Sequence, residues 1–280
     1  MKIRRGDIVG RKSYKNDILF VVDRFIKLNN NKKYAILKGI TIRIEADAPL
    51  SDLQIIDKSK INAISTSLEE EIIKRINEKN REYRYIIESK IKTGRILHLD
   101  GDRRYSEKSA IYYRKMGLDA IVKNIPENKQ ARVVRKLLDK YKPDILIITG
   151  HDAMLKHGSN YCNIYNYRNS RHFINGVIEA RKWARSSNEL VIFAGACQSF
   201  FEAIMEAGAD FASSPARILI DFMDPLIVAE KIAITDEYKF VSAREISKDI
   251  KEGEKGIGGI GANGKKRTIK QPSNQKVIKM

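Results

Sequence analysis

Two side chains could do chemistry, each at the end of an apolar run closed by small residues: His151 in Ile147-Ile-Thr-Gly-His151 and Cys197 in Phe193-Ala-Gly-Ala-Cys197. A thiol attacks a carbonyl efficiently when a neighbouring base takes its proton and N–H donors receive the oxyanion that forms. The small residues suit that task. Gly150 allows a sharp turn before His151, and Gly195 with Ala196 leaves room for a substrate backbone beside Cys197. A helix entered at Gln198 would place Cys197 at the positive end of a dipole and favour thiolate. Gly150 and Gln198 are the expected contributors to an oxyanion site, with a cap of its own helix as the other reading of Gln198.

These residues need a scaffold that brings two strand ends together. From Arg95 onward the chain alternates strands with helices, the pattern of an α/β domain with a largely parallel sheet. The strands are Ile96-Leu-His-Leu99, Asp119-Ala-Ile-Val-Lys123, Asp144-Ile-Leu-Ile-Ile-Thr149 and Glu189-Leu-Val-Ile-Phe-Ala194, with a fifth through Phe211-Ala-Ser-Ser214. His151 and Cys197 fall at the carboxyl ends of two of them, where open α/β sheets bind ligands. Their spacing of 46 residues accommodates one loop, one helix and one strand, a single crossover between parallel neighbours.

Residues 1–60 differ in texture. The runs Asp17-Ile-Leu-Phe-Val-Val-Asp23, Lys33-Tyr-Ala-Ile-Leu-Lys38 and Thr41-Ile-Arg-Ile-Glu45, broken at Asn29-Asn-Asn31 and Gly39, read as a small SH3-like β-barrel. Residues 61–93 read as a connecting helix. It starts near Ser65, with Ser67 and Glu70 at capping-box spacing and an apolar stripe through Leu68, Ile72, Ile76, Tyr83 and Ile87. The α/β domain takes 94–250. Residues 251–280, rich in Gly and Lys, read as a mobile tail without the strand-to-helix context of a phosphate loop.

The order of a His and then, about 50 residues later, a Cys is the caspase arrangement. It differs from caspase-type enzymes in having Gly150 before the His and Asp152 after it. The chain resembles one family more closely, the YabG sporulation-specific peptidases of endospore-forming bacteria. The likeness is carried by Leu97-His-Leu-Asp-Gly-Asp102, Thr149-Gly-His-Asp152, Tyr167-Arg-Asn-Ser170, Ala194-Gly-Ala-Cys-Gln-Ser199 and Ala212-Ser-Ser-Pro215. The resemblance implies a caspase-like mostly parallel sheet and a catalytic pair of His151 and Cys197. It also implies cleavage beside arginine of spore coat proteins and cortex-lytic precursors, in the mother-cell cytoplasm at the developing coat.

Arginine preference requires a buried carboxylate, because an unpartnered guanidinium is costly to desolvate. Asp100 and Asp102, which follow the first strand, are the leading candidates, with an exposed turn around Gly101 as the alternative reading. Asp210 is a weaker candidate. Ser213 and Ser214 would form a wall of the pocket by resemblance. Asp152 is read as orienting His151, contacting substrate or capping the next turn, and the polar-aromatic run 161–169 as a lid, with binding of extended peptide as the alternative. Cys162 lacks a base at useful spacing, His98 reads as a packing residue, and His157 and His172 as surface residues.

Composition limits the remaining classes. The chain has 280 residues, 42% of them hydrophobic, enough for a core of one large domain or two modest ones. No apolar stretch approaches a membrane span or signal-peptide core, so no membrane partner is expected. Two cysteines are too few for a disulfide framework or a four-thiolate zinc site, and the His and carboxylates lack metal-ligand spacing. No metal or other cofactor is expected. A formal charge of +18 favours acidic partners, but the basic residues are spread out, which argues against dedicated nucleic-acid recognition. A thiol amidase on the same scaffold would place its His after the nucleophile, and no His follows Cys197. A nonenzymatic basic docking protein is the other alternative. Lys265-Lys-Arg267 is a candidate self-processing site.

Overall fold

In a computed structural model, which describes residues 2–27, 33–88, 92–155 and 160–267, the β-rich N-terminal runs form one sheet. Its strands are β1 (Ile8–Arg11), β2 (Phe20–Lys27), β3 (Lys33–Gly39), β4 (Glu45–Pro49) and β5 (Leu53–Ile55). All pairings are antiparallel, in the order β4-β3-β2-β1-β5. With β4 and β5 at opposite edges the sheet is open, and the expected SH3-like barrel does not close. The run 41–45 shows why. Only Glu45 belongs to β4, and residues 40–44 leave the sheet as a loop that enters the α/β body. Helix α1 (Lys58–Glu88) follows. It begins at Lys58 rather than near Ser65 because Asp57 accepts from the Ser59 N–H at 2.7 Å, an N-terminal cap earlier than the Ser67/Glu70 pair.

The remaining elements are β6 (Ile96–Asp100), α2 (Arg103–Lys115), β7 (Ala120–Asn124), α3 (Glu127–Tyr141), β8 (Ile145–Thr149), α4 (Ser170–Trp183), β9 (Val191–Ala194), α5 (Phe201–Glu206), β10 (Phe211–Ser213), α6 (Asp224–Ile234), β11 (Phe240–Val241), α7 (Ala243–Ser247), β12 (Ile257–Gly259) and β13 (Ala262–Asn263). They give a mixed α/β body around a mostly parallel sheet ordered β12-β10-β9-β8-β6-β7. Only β12 runs antiparallel to its neighbour. Alternation along each strand separates two cores. Ile96, Ile145, Ile147, Val191 and Phe193 face α2 and α6, whereas Leu97, Leu99, Leu146, Ile148, Ile192 and Ala194 face α3, α4 and α5.

The Gly-rich stretch read as the start of a mobile tail instead closes the sheet. Gly258 and Gly259 pair with Ala212 and Phe211, where larger side chains would meet Phe201 and the backbone of β10. The rest of that expected tail, and His157, lie outside the described residues or beyond β13.

Helix α6 carries a buried carboxyl. Burial, then the charge of Asp221, push Asp224 up from 3.8 to about 7. A carboxyl raised in the folded state withdraws stability as pH climbs from about 4 through 7. Asp224→Asn, which keeps an acceptor for the Asp221 N–H, is expected to stabilise by about 1–3 kcal/mol at pH 8 and little at pH 4. Thermal melts at both pH values check this.

Candidate active site

Adjacent strands β8 and β9 present the two reactive residues. Ile148 lies in register with Ala194, and just beyond them the Thr149 hydroxyl donates to the Gly195 carbonyl at 2.8 Å. His151 and Cys197 each lie two residues past this tie. Both are fully buried.

Gly150 matters by proximity rather than by turning the chain. A Cβ there would stand 2.3 Å from Glu127 Oε1, the atom that accepts the His151 backbone N–H at 2.9 Å. Glu127, at the start of α3, thereby fixes the backbone at the histidine. Its carboxyl is raised chiefly by burial, against the pull of Lys38. Gly150→Ala is expected to push this carboxylate aside, lowering Tm and kcat together; unchanged values in melting and turnover assays would dismiss the role. Gly195 does need its freedom, with φ +118° and a Cβ position 2.4 Å from Ser213 Oγ.

The imidazole of His151 is held on three sides. Nε2–H donates to the Gly39 carbonyl at 3.2 Å, so the N-terminal sheet orients the histidine. The ring of Tyr105 stacks on it, with centroids 5.3 Å apart. Asp102 lies 3.8 Å from Nε2. Nδ1 is buried and has no hydrogen-bond partner among the described residues. Since Nε2 carries the proton, Nδ1 keeps the lone pair that a base needs. Burial outweighs the attraction of Asp102 and pulls the imidazole down to about 4, so the ring is neutral at pH 7.

Cys197 does not sit at a helix N-terminus. Gln198 has φ +54°, and α5 starts only at Phe201. The thiol meets the Ile220 backbone, accepting its N–H at 3.2 Å and lying 3.6 Å from its carbonyl. Burial raises it to about 12, a protonated thiol rather than the expected thiolate.

The residues named from sequence separate into distinct roles. Asp100 is fully buried and binds a guanidinium, that of Arg43, at 2.8 Å. Burial alone would raise its carboxyl, but Arg43, His98 and the Asp102 N–H hold it well below the usual range. Asp102 caps α2 through the Arg104 N–H and pairs with the Arg104 side chain at 2.8 Å. The Asp152 carboxylate is spent on other groups, accepting from Ser170, from Ser199 and from the Asn169 N–H. It ties the loop after β8 to α4 and to the loop after Cys197, and burial raises it to about 6.

Ser213 Oγ donates to the Ala196 carbonyl, and Ser214 Oγ donates to that of Ile218 while accepting the Gln198 N–H at 3.2 Å. Both serines brace the cysteine turn. The Gln198 N–H also reaches the Ile218 carbonyl at 3.0 Å, so it points away from an oxyanion position. Asp210 is spent on Arg181 and the Ile192 N–H. His98 packs on Tyr113, and Cys162 is exposed.

Sequence reasoning missed Arg43, whose apolar neighbours made it look like an outward strand residue. The residue is fully buried. Its guanidinium lies over Tyr105 at 4.7 Å and Phe222 at 5.6 Å while binding Asp100. Its carbonyl oxygen accepts two backbone N–H groups, from Asp152 at 3.1 Å and from Cys197 at 3.3 Å. Donors from the residue after the histidine and from the cysteine itself thus converge on one carbonyl, the geometry that stabilises a tetrahedral oxyanion.

Comparison with known proteins gives the family of the chain and its peptidase activity. No solved structure matches the chain. It is similar to the sporulation-specific protease YabG of Bacillus subtilis (strain 168), 37% identical over 279 residues that cover 94% of this chain and 96% of the relative. The family model described as YabG peptidase U57 matches residues 4–271. With a matching model over nearly its whole length and a relative aligned almost end to end, the chain belongs to the YabG peptidase family, U57.

Proposed function

We infer that this sporulation peptidase is a caspase-like cysteine endopeptidase that cuts after arginine, with Cys197 as nucleophile and His151 as base. The observation that carries the reading is the carbonyl of Arg43, held by the N–H groups of Cys197 and Asp152 while its guanidinium binds Asp100. A substrate arginine in the same place would direct its carbonyl carbon toward the thiol. Asp100 would neutralise the guanidinium, and the rings of Tyr105 and Phe222, packed against each other, would lie beside it.

Catalysis then follows from the parts. Nδ1 of His151 takes the thiol proton as Sγ adds to the carbonyl, and the two N–H groups receive the developing charge. The imidazolium returns that proton to the leaving amine. Water, activated by the same Nδ1, hydrolyses the thioester and regenerates the thiol. The Gly39 carbonyl fixes the tautomer throughout and is a stronger acceptor partner once the ring is charged.

Spore coat proteins and cortex-lytic precursors are the proposed substrates, met at the developing coat in the mother cell. Among the described residues no helix is long and apolar enough to cross a membrane. Mass spectrometry of new termini in a spore-coat extract treated with wild type or Cys197→Ala tests the reading. Termini following arginine are expected from the wild type alone. Equal sets from both proteins would refute the dyad, and a set without arginine before the cut would refute the pocket.

A further inference from the structure

The loop 40–44 between β3 and β4 does more than reveal a pocket. It lies across the site as an extended peptide, flanked on both sides by backbone. The Phe222 N–H donates to the Thr41 carbonyl at 3.2 Å, and Ile42 bridges Asp221 in antiparallel fashion. On the other side Ile44 bridges Asp152 in parallel, and the Glu45 N–H donates to the Asp152 carbonyl at 3.0 Å. Cavities flank this loop. One of about 340 Å³ is lined by Thr41, Ile42, Ile220 and Asp221, and one of about 880 Å³ by Ile44, Glu45, Met154 and Gln198. The two cavities share Asp17, Ile18 and Leu219 in their linings and meet the loop on either side of the Arg43–Ile44 bond.

We propose that the Arg43–Ile44 peptide bond is an intramolecular cleavage site, and that residues 40–44 block the cleft against other substrates until that bond is cut. The proposal rests on the arginine-directed cysteine peptidase reading above. Attack by Sγ on the Arg43 carbonyl carbon forms the thioester as the bond to the Ile44 nitrogen breaks. That nitrogen leaves with the proton that His151 took from the thiol. Water then releases Arg43 as a carboxylate and restores the thiol. The net change is hydrolysis of one peptide bond, with no other reactant.

The fold is suited to survive the cut. Five registered pairs between β3 and β4, Tyr34↔Pro49 through Lys38↔Glu45, and the pairing of β1 with β5 join the two fragments. Gly39, which orients His151, stays in the upstream fragment within β3. Only the new ends are free to leave the groove. The uncut form is latent toward other substrates because residues 40–44 occupy the backbone positions beside Asp152 and Asp221.

Intact mass and N-terminal sequencing of freshly purified full-length protein, followed over time beside hydrolysis of an arginyl peptide amide, test the proposal. The wild type is expected to yield a fragment beginning at Ile44 at a rate independent of protein concentration. Turnover of the added peptide should rise in step with it. Cys197→Ala should remain whole, a comparison that leaves the pocket untouched. Arg43→Lys, which keeps a cation on Asp100, should slow the cut at least tenfold, and its melting curve separates that effect from misfolding.

A wild type that hydrolyses the arginyl peptide at its full rate while Arg43–Ile44 stays whole would overturn the proposal and leave the peptidase reading standing. Failure to cut either bond would remove both. A concentration-dependent cut would refute the intramolecular route, and cutting with no gain in turnover would refute the block.

Discussion

Replacing Asp100 by Ala is expected to cost about 3–5 kcal/mol of stability, because it leaves the Arg43 guanidinium buried without its counter-charge. Arg43 is fully buried and no water-exposed position is open to it at its present place. The informative variant is the double substitution Asp100→Leu with Arg43→Met. Removing both charges together should recover most of the lost stability, since a buried ion pair is often matched by apolar residues of similar volume. Cleavage after arginine should not recover. Without the carboxylate, kcat/KM on arginyl substrates is expected to fall roughly 10²- to 10³-fold. Chemical denaturation and peptide kinetics on both variants, with Arg43→Met alone as the reference for an uncut loop, separate the two roles. A double variant that is as stable as wild type and still prefers arginine would exclude Asp100 as the determinant.

Cys197→Ala should lower turnover of arginyl substrates roughly 10³-fold or more while leaving the fold intact. The sulfur lies within the core cluster of the N-terminal sheet together with Val9, Phe20 and Ile220. It loses only a weak pair of contacts with the Ile220 backbone, so Tm should move by no more than a few degrees. His151→Ala should lose comparable activity, and combining the two should add little, because nucleophile and base act as a unit. Additive losses would show that the residues do not cooperate. The three variants also divide positioning from chemistry: Gly150→Ala is expected to reduce activity together with stability, Cys197→Ala activity alone.

The neutral thiol and neutral imidazole follow from the closure of the site. With burial removed, both groups move back toward their ordinary values, the thiol down and the imidazole up. An occupied and an open cleft should therefore differ in alkylation by iodoacetamide, with Cys197 protected while residues 40–44 lie over it and Cys162 modified in either state.

Much of this site was legible in the chain itself. Apolar runs ending in small residues marked β8 and β9, and the distance between His151 and Cys197 matched one crossover, because period-two patterning and connection length are local properties. The position of Asp100 at the carboxyl end of β6 likewise followed from strand order. Local signals also named residues whose use they did not settle. The Asp152 N–H holds the Arg43 carbonyl while its carboxylate staples loops, Ser213 and Ser214 brace a turn, and Gly150 admits Glu127. The thiolate expected from a helix start failed because Gln198 turns left-handed before α5 begins.

Only the tertiary structure decided the open N-terminal sheet, the edge strand made from the Gly-rich stretch and, above all, the place of Arg43. A single charged residue in a β-like run reads as solvent-facing because burying a guanidinium is costly by itself. That cost is offset here by Asp100, Tyr105 and Phe222, 57 or more residues away in the chain. No local pattern announces a partnership across that distance. The residue types and spacing determined that a histidine and a cysteine follow the carboxyl ends of two neighbouring central strands, and the packing of one loop determined what lies against them.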